Sequence, residues 1–336
     1  MTSRAHILGA VKLADAVLKQ HDVEARLREG YTRVDPFEIA ERAGVFVMLR
    51  PLEKLLGAFL PAQASGILLN SERPPGLVHM TCAHELGHFF LEHGAKSDFQ
   101  IDSQDSSDSH EAAADWFAYH LLMPRFLLVS LMKRKGWGAP DLRNPGVVYQ
   151  LSLRLGMSYS AAAWSLCRQN LLDVSTARSI AKIPPQKLKH ELAGDEAKGD
   201  VWLLDQCDKD LILEPRPTDT VIFDLPDHAT SGYLWSVEEA RSEGFVLNET
   251  VEFRSQTGNP NELWLGRSGT RRYRLERNAD EGRLEPGVLE FSLCEARPWI
   301  EQVEDGRCFA TSAQIEVISK GLTPASRSAV VEETRL

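Results

Sequence analysis

Residues 78–93 read VHMTCAHELGHFFLEH, and how this stretch is understood decides the first half of the chain. Apolar residues run on both sides of His84-Glu85-Leu86-Gly87-His88, from Met80 to Ala83 before it and Phe89 to Leu91 after it, which predicts a buried helix. Residues i and i+4 project from one face of a helix, so the imidazoles of His84 and His88 can reach a single Zn2+. Glu85 then stands beside the metal, where a carboxylate can take a proton from water. Two histidines leave the site incomplete, because a catalytic zinc needs a third protein ligand and one open position.

The segment after His88 offers that ligand. Residues 95–110 (AKSDFQIDSQDSSDSH) form a polar loop rich in Ser and Asp, in which Asp98, Asp102, Asp105 and Asp108 read as solvated carboxylates. His93 and His110 read as surface histidines. Glu111 differs, because it opens a helical run that stops at Pro124 and can hold it rigidly. Asp115 lies one turn further on the same face, placed to accept a hydrogen bond from a ligand imidazole and orient it. The expected set is therefore His84, His88 and Glu111 on the metal, with Asp115 behind them. A His2Glu set suits Zn2+ and also accepts Mn2+ or Fe2+.

Outward from this centre, Ile7, Val11, Leu13, Ala14, Val17 and Leu18 mark an N-terminal helix. Asp35-Pro36-Phe37-Glu38 announces another, with Asp35 as cap, Pro36 in the first turn and Glu38 completing a capping box. Gly44 ends it, and Val45–Leu49 and Gly66–Asn70 read as strands. Gly66–Asn70, just before the motif helix, is a candidate to pair with a substrate as an added strand. Residues 147–180 have the pattern of a helix-turn-helix, with Lys133-Arg134-Lys135 nearby. Polar residues 184–200 read as a linker. Beyond them the apolar period shortens to two, in Val221–Phe223, Arg271–Glu276, Val288–Cys294 and Gln314–Ile318. The expected organisation is a domain over 1–190, a β domain over 205–320 and a disordered tail over 321–336.

The chain has 336 residues, 43% hydrophobic and 26% charged, ordinary values for a globular protein of two domains. Its net charge of −10 is unevenly spread: residues 1–190 hold 22 Lys/Arg and 19 Asp/Glu, whereas 191–336 hold 16 and 29. An acidic second half repels phosphate backbones, so the helix-turn-helix segment is read as completing the first domain and direct DNA binding is not expected. The 5 cysteines form no CxxC pair, which argues against a disulfide framework or zinc knuckle and for a reducing, cytoplasmic setting. No run of 18 apolar residues or signal-peptide core is seen, so neither a membrane span nor secretion is expected.

Residues 80–124, MTCAHELGHFFLEH followed by EAAADWFAYHLLMP, resemble the ImmA/IrrE family of metallopeptidases. That family shows a TxAHELGH helix, a Glu four residues before an Asn, a Phe-Ala pair and Leu-Leu-Met-Pro. The resemblance implies an α+β, zincin-like peptidase domain with His84, His88 and Glu111 as zinc ligands and Glu85 as general base. Asp115 stands where the family usually has Asn, and Ala113 where an acidic residue is common. Members typically cleave a repressor protein, so a helix-turn-helix repressor or antitoxin-like regulator is the implied substrate. Tyr119 and His120 are candidates for stabilising the oxyanion.

A second resemblance covers about 212–320. His-Ala-Thr-Ser-Gly-Tyr-Leu-Trp at 228–235, Gly-Arg-Ser-Gly at 266–269 and Arg-Pro-Trp at 297–299 are similar, in order and spacing, to the three loops of the chagasin family of cysteine-protease inhibitors. This implies an immunoglobulin-like β-sandwich whose partner-binding loops use Thr230, Ser231, Gly232, Tyr233, Trp235, Gly266, Gly269, Arg297, Pro298 and Trp299. His228-Ala229 replace the family's Asn-Pro. The combined expectation is a zinc endopeptidase with a recognition or regulatory sandwich; its rivals are a protein-binding inhibitor or sensor and, more weakly, a DNA-binding regulator.

Overall fold

The computed structural model describes residues 4–61, 65–92, 96–98, 109–194, 199–237, 245–254, 269–277, 288–297, 299, 308–324 and 326–327. The chain divides into two compact units, Met1–Pro184 together with Ile318–Leu336, and Pro185–Val317.

The first unit begins with α1 (Arg4–Gln20), α2 (Val23–Arg28) and α3 (Pro36–Arg42), then β1 (Phe46–Arg50), β2 (Gly57–Leu60) and β3 (Gly66–Asn70). The motif helix α4 (Pro75–Phe90) and a short strand β4 (Lys96–Asp98) precede α5 (Ser109–Leu122) and α6 (Arg125–Lys135). Helices α7 (Pro145–Arg154), α8 (Tyr159–Arg168) and α9 (Val174–Ala181) occupy the segment read as a helix-turn-helix. Their boundaries follow from local chemistry. Asn144, Ser158 and Asp173 accept backbone N–H bonds from Gly146, Ala161 and Thr176, and Gly156 turns the chain between α7 and α8 at φ +64°.

The α3 cap is half as expected. The Asp35 carboxylate accepts from the N–H groups of Phe37 and Glu38. Glu38 does not reach back; its carboxylate pairs with Arg42 at 2.5 Å and Arg26 at 3.3 Å. Two guanidinium partners outcompete one backbone donor.

Five strands form the sheet of this unit in the order β13-β1-β3-β2-β4, where β13 is Gly321–Leu322. β1 and β3 run parallel, and the other pairs are antiparallel. β3 is therefore interior, hydrogen-bonded to β1 on one side and β2 on the other. Gly66–Asn70 cannot accept a substrate strand, because both of its edges are in use.

The expected tail is also corrected. Gly321 and Leu322 pair with Leu49 and Met48 of β1, and the Thr323 N–H donates to the Val47 carbonyl. The buried Ser326 hydroxyl accepts from the Val47 N–H at 2.9 Å. A chain that has left the first unit thus returns to close its β1 edge.

The second unit starts with α10 (Pro185–Ala193), within the expected linker. It is a helix because it has something to bury: Leu192 and Ala193 pack against Val201 and Ile222, and Leu188 is also buried. Two sheets follow. One has the order β5-β7-β10-β9, with β5 (Val201–Leu204), β7 (Thr220–Asp227), β10 (Gly269–Arg277) and β9 (Phe245–Arg254). The other has the order β6-β12-β11-β8, with β6 (Ile212–Leu213), β12 (Cys308–Gln314), β11 (Val288–Ala296) and β8 (Leu234–Val237). Fully buried Phe223 of β7 and Phe309 of β12 meet edge to face at 5.7 Å, joining the two sheets.

β12 lies earlier than the Gln314–Ile318 expected, because its inward positions include Thr311 and Ala313 beside Phe309, a weakly apolar alternation. The cysteine reading is corrected as well. Cys294 and Cys308 form a disulfide across β11 and β12, and Cys82, Cys167 and Cys207 are free. No described helix is long and apolar enough to cross a membrane.

Replacing Ser326 with Ala leaves the buried Val47 N–H without its acceptor. Denaturant unfolding of the first unit is expected to show a loss of about 1–3 kcal/mol; an unchanged midpoint would mean that the returning segment contributes nothing to this edge.

Candidate metal centre

Helix α4 is buried on every side from Val78 to Leu86 and on to His88, so its polar residues must be satisfied from within the protein. Gly87 sets its distance to α5. A Cβ at this position would lie 3.0 Å from the Ala114 Cα, 3.1 Å from the Ala114 carbonyl oxygen and 3.2 Å from the Phe117 ring. Glycine on one helix against Ala114 on the other permits a backbone-close crossing. That crossing delivers Glu111 and Asp115, one turn apart on α5, to the histidines one turn apart on α4.

The result is a triangle of donor atoms. His84 Nε2 and His88 Nε2 lie 3.0 Å apart, and Glu111 Oε2 is 3.3 Å from each. His84 donates from Nδ1 to Asp115 Oδ1 at 2.9 Å, which turns Nε2 toward the triangle. Tetrahedral zinc with bonds of about 2.0–2.1 Å places its donors about 3.3 Å apart. Two imidazoles and one carboxylate at these separations fit a divalent ion in a three-ligand site. His84, His88 and Glu111 are the one such His/Cys/Asp/Glu group among the described residues.

The electrostatics point the same way. Burial opposes charge on His84, but hydrogen bonds to the Asp115 and Glu111 carboxylates prevail and raise its pKa to about 10. Glu111 is held well below the usual carboxylate range, first by its hydrogen bonds to His84 and His88. These are two views of one interaction. In the protein alone, the stability it supplies through His84 is complete below pH 6.5 and is lost as pH rises through about 10.

Glu85 is buried and faces the sheet with Thr81, one turn before it. Gly57 of β2 makes room: a Cβ there would fall 2.4 Å from Thr81 Cγ2 and 3.3 Å from Glu85 Oε1. Neither Gly57 nor the role of Gly87 in helix spacing was anticipated. A lone glycine in sequence carries no sign of what approaches it.

The other candidates are placed elsewhere or outside the description. His120 bonds to Asp15 of α1 at 2.9 Å, and Tyr119 is buried with the Arg168 guanidinium 3.6 Å from its ring centroid. Oxyanion stabilisation by either residue has no geometric support. His110 is exposed. His93 and residues 99–108 lie outside the described residues, as do the side chain of Asp98 and that of Thr230.

In the second unit, Gly266 and Pro298 are likewise outside the description, and Gly269 opens β10 opposite Asp227. The remaining loop residues converge. The Arg297 guanidinium lies 4.5 Å from the centroid of the buried Tyr233 ring, and Trp235 Nε1 donates to the Pro226 carbonyl at 2.7 Å. Gly232 is left-handed at φ +81°, and the Trp299 ring covers it so closely that a Cβ would fall 2.5 Å from the indole. Ser231 is exposed.

Residues 40–166 match the model of the Peptidase_M78 family, the IrrE N-terminal-like domain. This span contains α4, α5 and every member of the donor triangle, and the match implies a metallopeptidase-like domain. No curated protein matches the chain. Among solved structures, the cysteine protease inhibitor EhICP2 from Entamoeba histolytica is similar at 20% identity, over 35% of this chain and 96% of that one, with a TM-score of 0.26. The structure of amebosin is similar at 18% identity, over 35% and 98%, also with a TM-score of 0.26.

Two outcomes test this geometry. Gly87→Val must push α5 away, so zinc affinity is expected to fall by at least the roughly 10–100-fold typical of disturbed ligand support; unchanged affinity in calorimetry would mean that the crossing does not set the site. A divalent cation also competes with the proton on His84. Zinc titration at pH 7 in buffers of different ionisation enthalpy should therefore register release of about one proton, whereas buffer-independent heats would contradict the assigned ligand.

Proposed function

We propose that the chain is a zinc-dependent endopeptidase that hydrolyses a peptide bond in a regulatory protein. The observation that carries this reading is the convergence of His84 Nε2, His88 Nε2 and Glu111 Oε2 within a segment that matches a peptidase family. Bound zinc would supply Lewis acidity, polarising the scissile carbonyl and lowering the pKa of water. The chain's own residues do the rest. His84, His88 and Glu111 hold the ion, and Asp115 fixes the tautomer of His84 by accepting its Nδ1–H. Glu85 takes a proton from the attacking water and passes it to the leaving amine nitrogen, so that acid and base work fall to one buried carboxylate.

The proposed substrate is a helix-turn-helix repressor or antitoxin-like regulator, cleaved as a switch in a stress, mobile-element or phage-defence response. This part rests on the resemblance of residues 80–124 to the ImmA/IrrE pattern. The second unit is assigned recognition or regulation. Its loop end favours contact with a protein over simple packing, because Trp299 is 70% exposed and Leu234 44% exposed beside the Arg297–Tyr233 stack. The competing reading, an inhibitor or sensor that acts through those loops alone, makes the donor triangle irrelevant to output.

Glu85→Gln separates the two. Incubated with candidate repressors, the zinc-loaded variant is expected to lose about 10²–10⁴-fold in cleavage rate while keeping its metal. Mass spectrometry of the fragments reads the rate, and metal analysis reads the retention. Full cleavage by the variant would remove Glu85 from the mechanism; biological output without any cleavage would favour the binding reading.

A further inference from the structure

The exposed loop end of the second unit hangs on the last residues of β11, and those residues sit at a disulfide. Among the described residues the β11–β12 ladder runs from Val288 opposite Gln314 to Cys294 opposite Cys308, so the bridge is the last rung described. The Cα atoms are 4.2 Å apart, the close spacing of a non-hydrogen-bonded antiparallel pair, where cross-strand side chains approach most nearly. Past this rung, Glu295 and Ala296 pair with Trp235 and Leu234 of β8.

Three of the residues that follow hold the other loop. The buried Glu295 carboxylate accepts from His228 Nδ1 at 2.8 Å, Arg297 stacks on Tyr233, and Trp299 lies over Gly232. Segments 228–235 and 295–299 therefore form one interlocked surface. The bond between Cys294 and Cys308 cross-links its base to β12 and closes a chain segment with a sequence separation of 14. Both cysteines are only partly buried, so a thiol in solution can reach them.

We propose that Cys294–Cys308 is a redox latch that fixes this loop surface when oxidised and loosens it when reduced. The reductant is a cellular dithiol or glutathione. One thiolate attacks a sulfur of the bridge, the bridge bond breaks and a mixed disulfide forms. A second thiol then resolves the mixed disulfide, leaving the reductant oxidised. Two electrons and two protons pass to the protein, and Cys294 and Cys308 end as thiols. With the rung open, the loop that carries Glu295, Arg297 and Trp299 loses the cross-link that closes it and the surface exchanges among more conformations. The inference concerns the second unit alone and does not depend on the peptidase reading.

The test uses the full chain. It is oxidised with diamide, its disulfides are mapped by mass spectrometry, and it is equilibrated in glutathione redox buffers without denaturant. Amide hydrogen exchange is then followed in peptides spanning 228–237 and 293–299. The expected result is a Cys294–Cys308 bridge that glutathione opens in the folded protein and reoxidation restores. Exchange in both peptides should rise about tenfold on opening, while peptides from α4 stay unchanged. The double variant Cys294→Ser, Cys308→Ser should show the fast pattern in every buffer; should it fail to fold, the reversible wild-type cycle carries the test. The latch is overturned if the bridge does not form, if it opens only after denaturation, or if exchange in the two peptides ignores its state.

Discussion

The contact between Gly87 and Ala114 is the constraint on which the first unit depends. Two buried helices approach until the absence of one Cβ becomes necessary, with the Ala114 Cα 3.0 Å from where it would be. At that spacing, side chains on α4 and α5 need little reach to share a point. The His84 and His88 nitrogens come from one helix and the Glu111 oxygen from the other, and the separations of 3.0–3.3 Å among them follow from the crossing. Gly57 makes a matching allowance on the other side, letting β2 lie against Thr81 and Glu85. Small residues above and below the motif thus fix where its large polar ones stand.

Packing and electrostatics serve the same arrangement. A buried helix that carries His84, Glu85 and His88 is costly unless each polar group has partners. Asp115 and Glu111 meet part of that cost, which is why His84 favours its charged form despite complete burial. The arrangement is poised for a cation. It gathers acceptors for positive charge at one point, and a divalent ion satisfies them better than a proton does.

Much of this centre was legible in the sequence, for physical reasons that are local. The i, i+4 spacing of His84 and His88 is a property of one helix, as is that of Glu111 and Asp115. Each pair could be placed without knowing how the helices meet. What depends on strand register or chain return was not legible. Cys294 and Cys308 look like isolated thiols until β11 and β12 are aligned, because a one-residue slip would put them on opposite faces. Gly321–Ser326 looks like a polar tail until the open edge of β1 is known to need partners. Gly66–Asn70 was read correctly as a strand, but strand order makes it interior. Glu38 fits a capping box by spacing and is taken instead by Arg26 and Arg42.

Two histidines and one glutamate, brought together by the α4–α5 crossing, are proposed to hold a catalytic divalent ion. X-ray absorption spectroscopy of the zinc-loaded chain measures this directly. The expected shell has two imidazole nitrogens and a carboxylate oxygen at about 2.0–2.1 Å, with one further light-atom ligand completing four-coordination. A shell with sulfur at about 2.3 Å, or one without imidazole scattering, would contradict it.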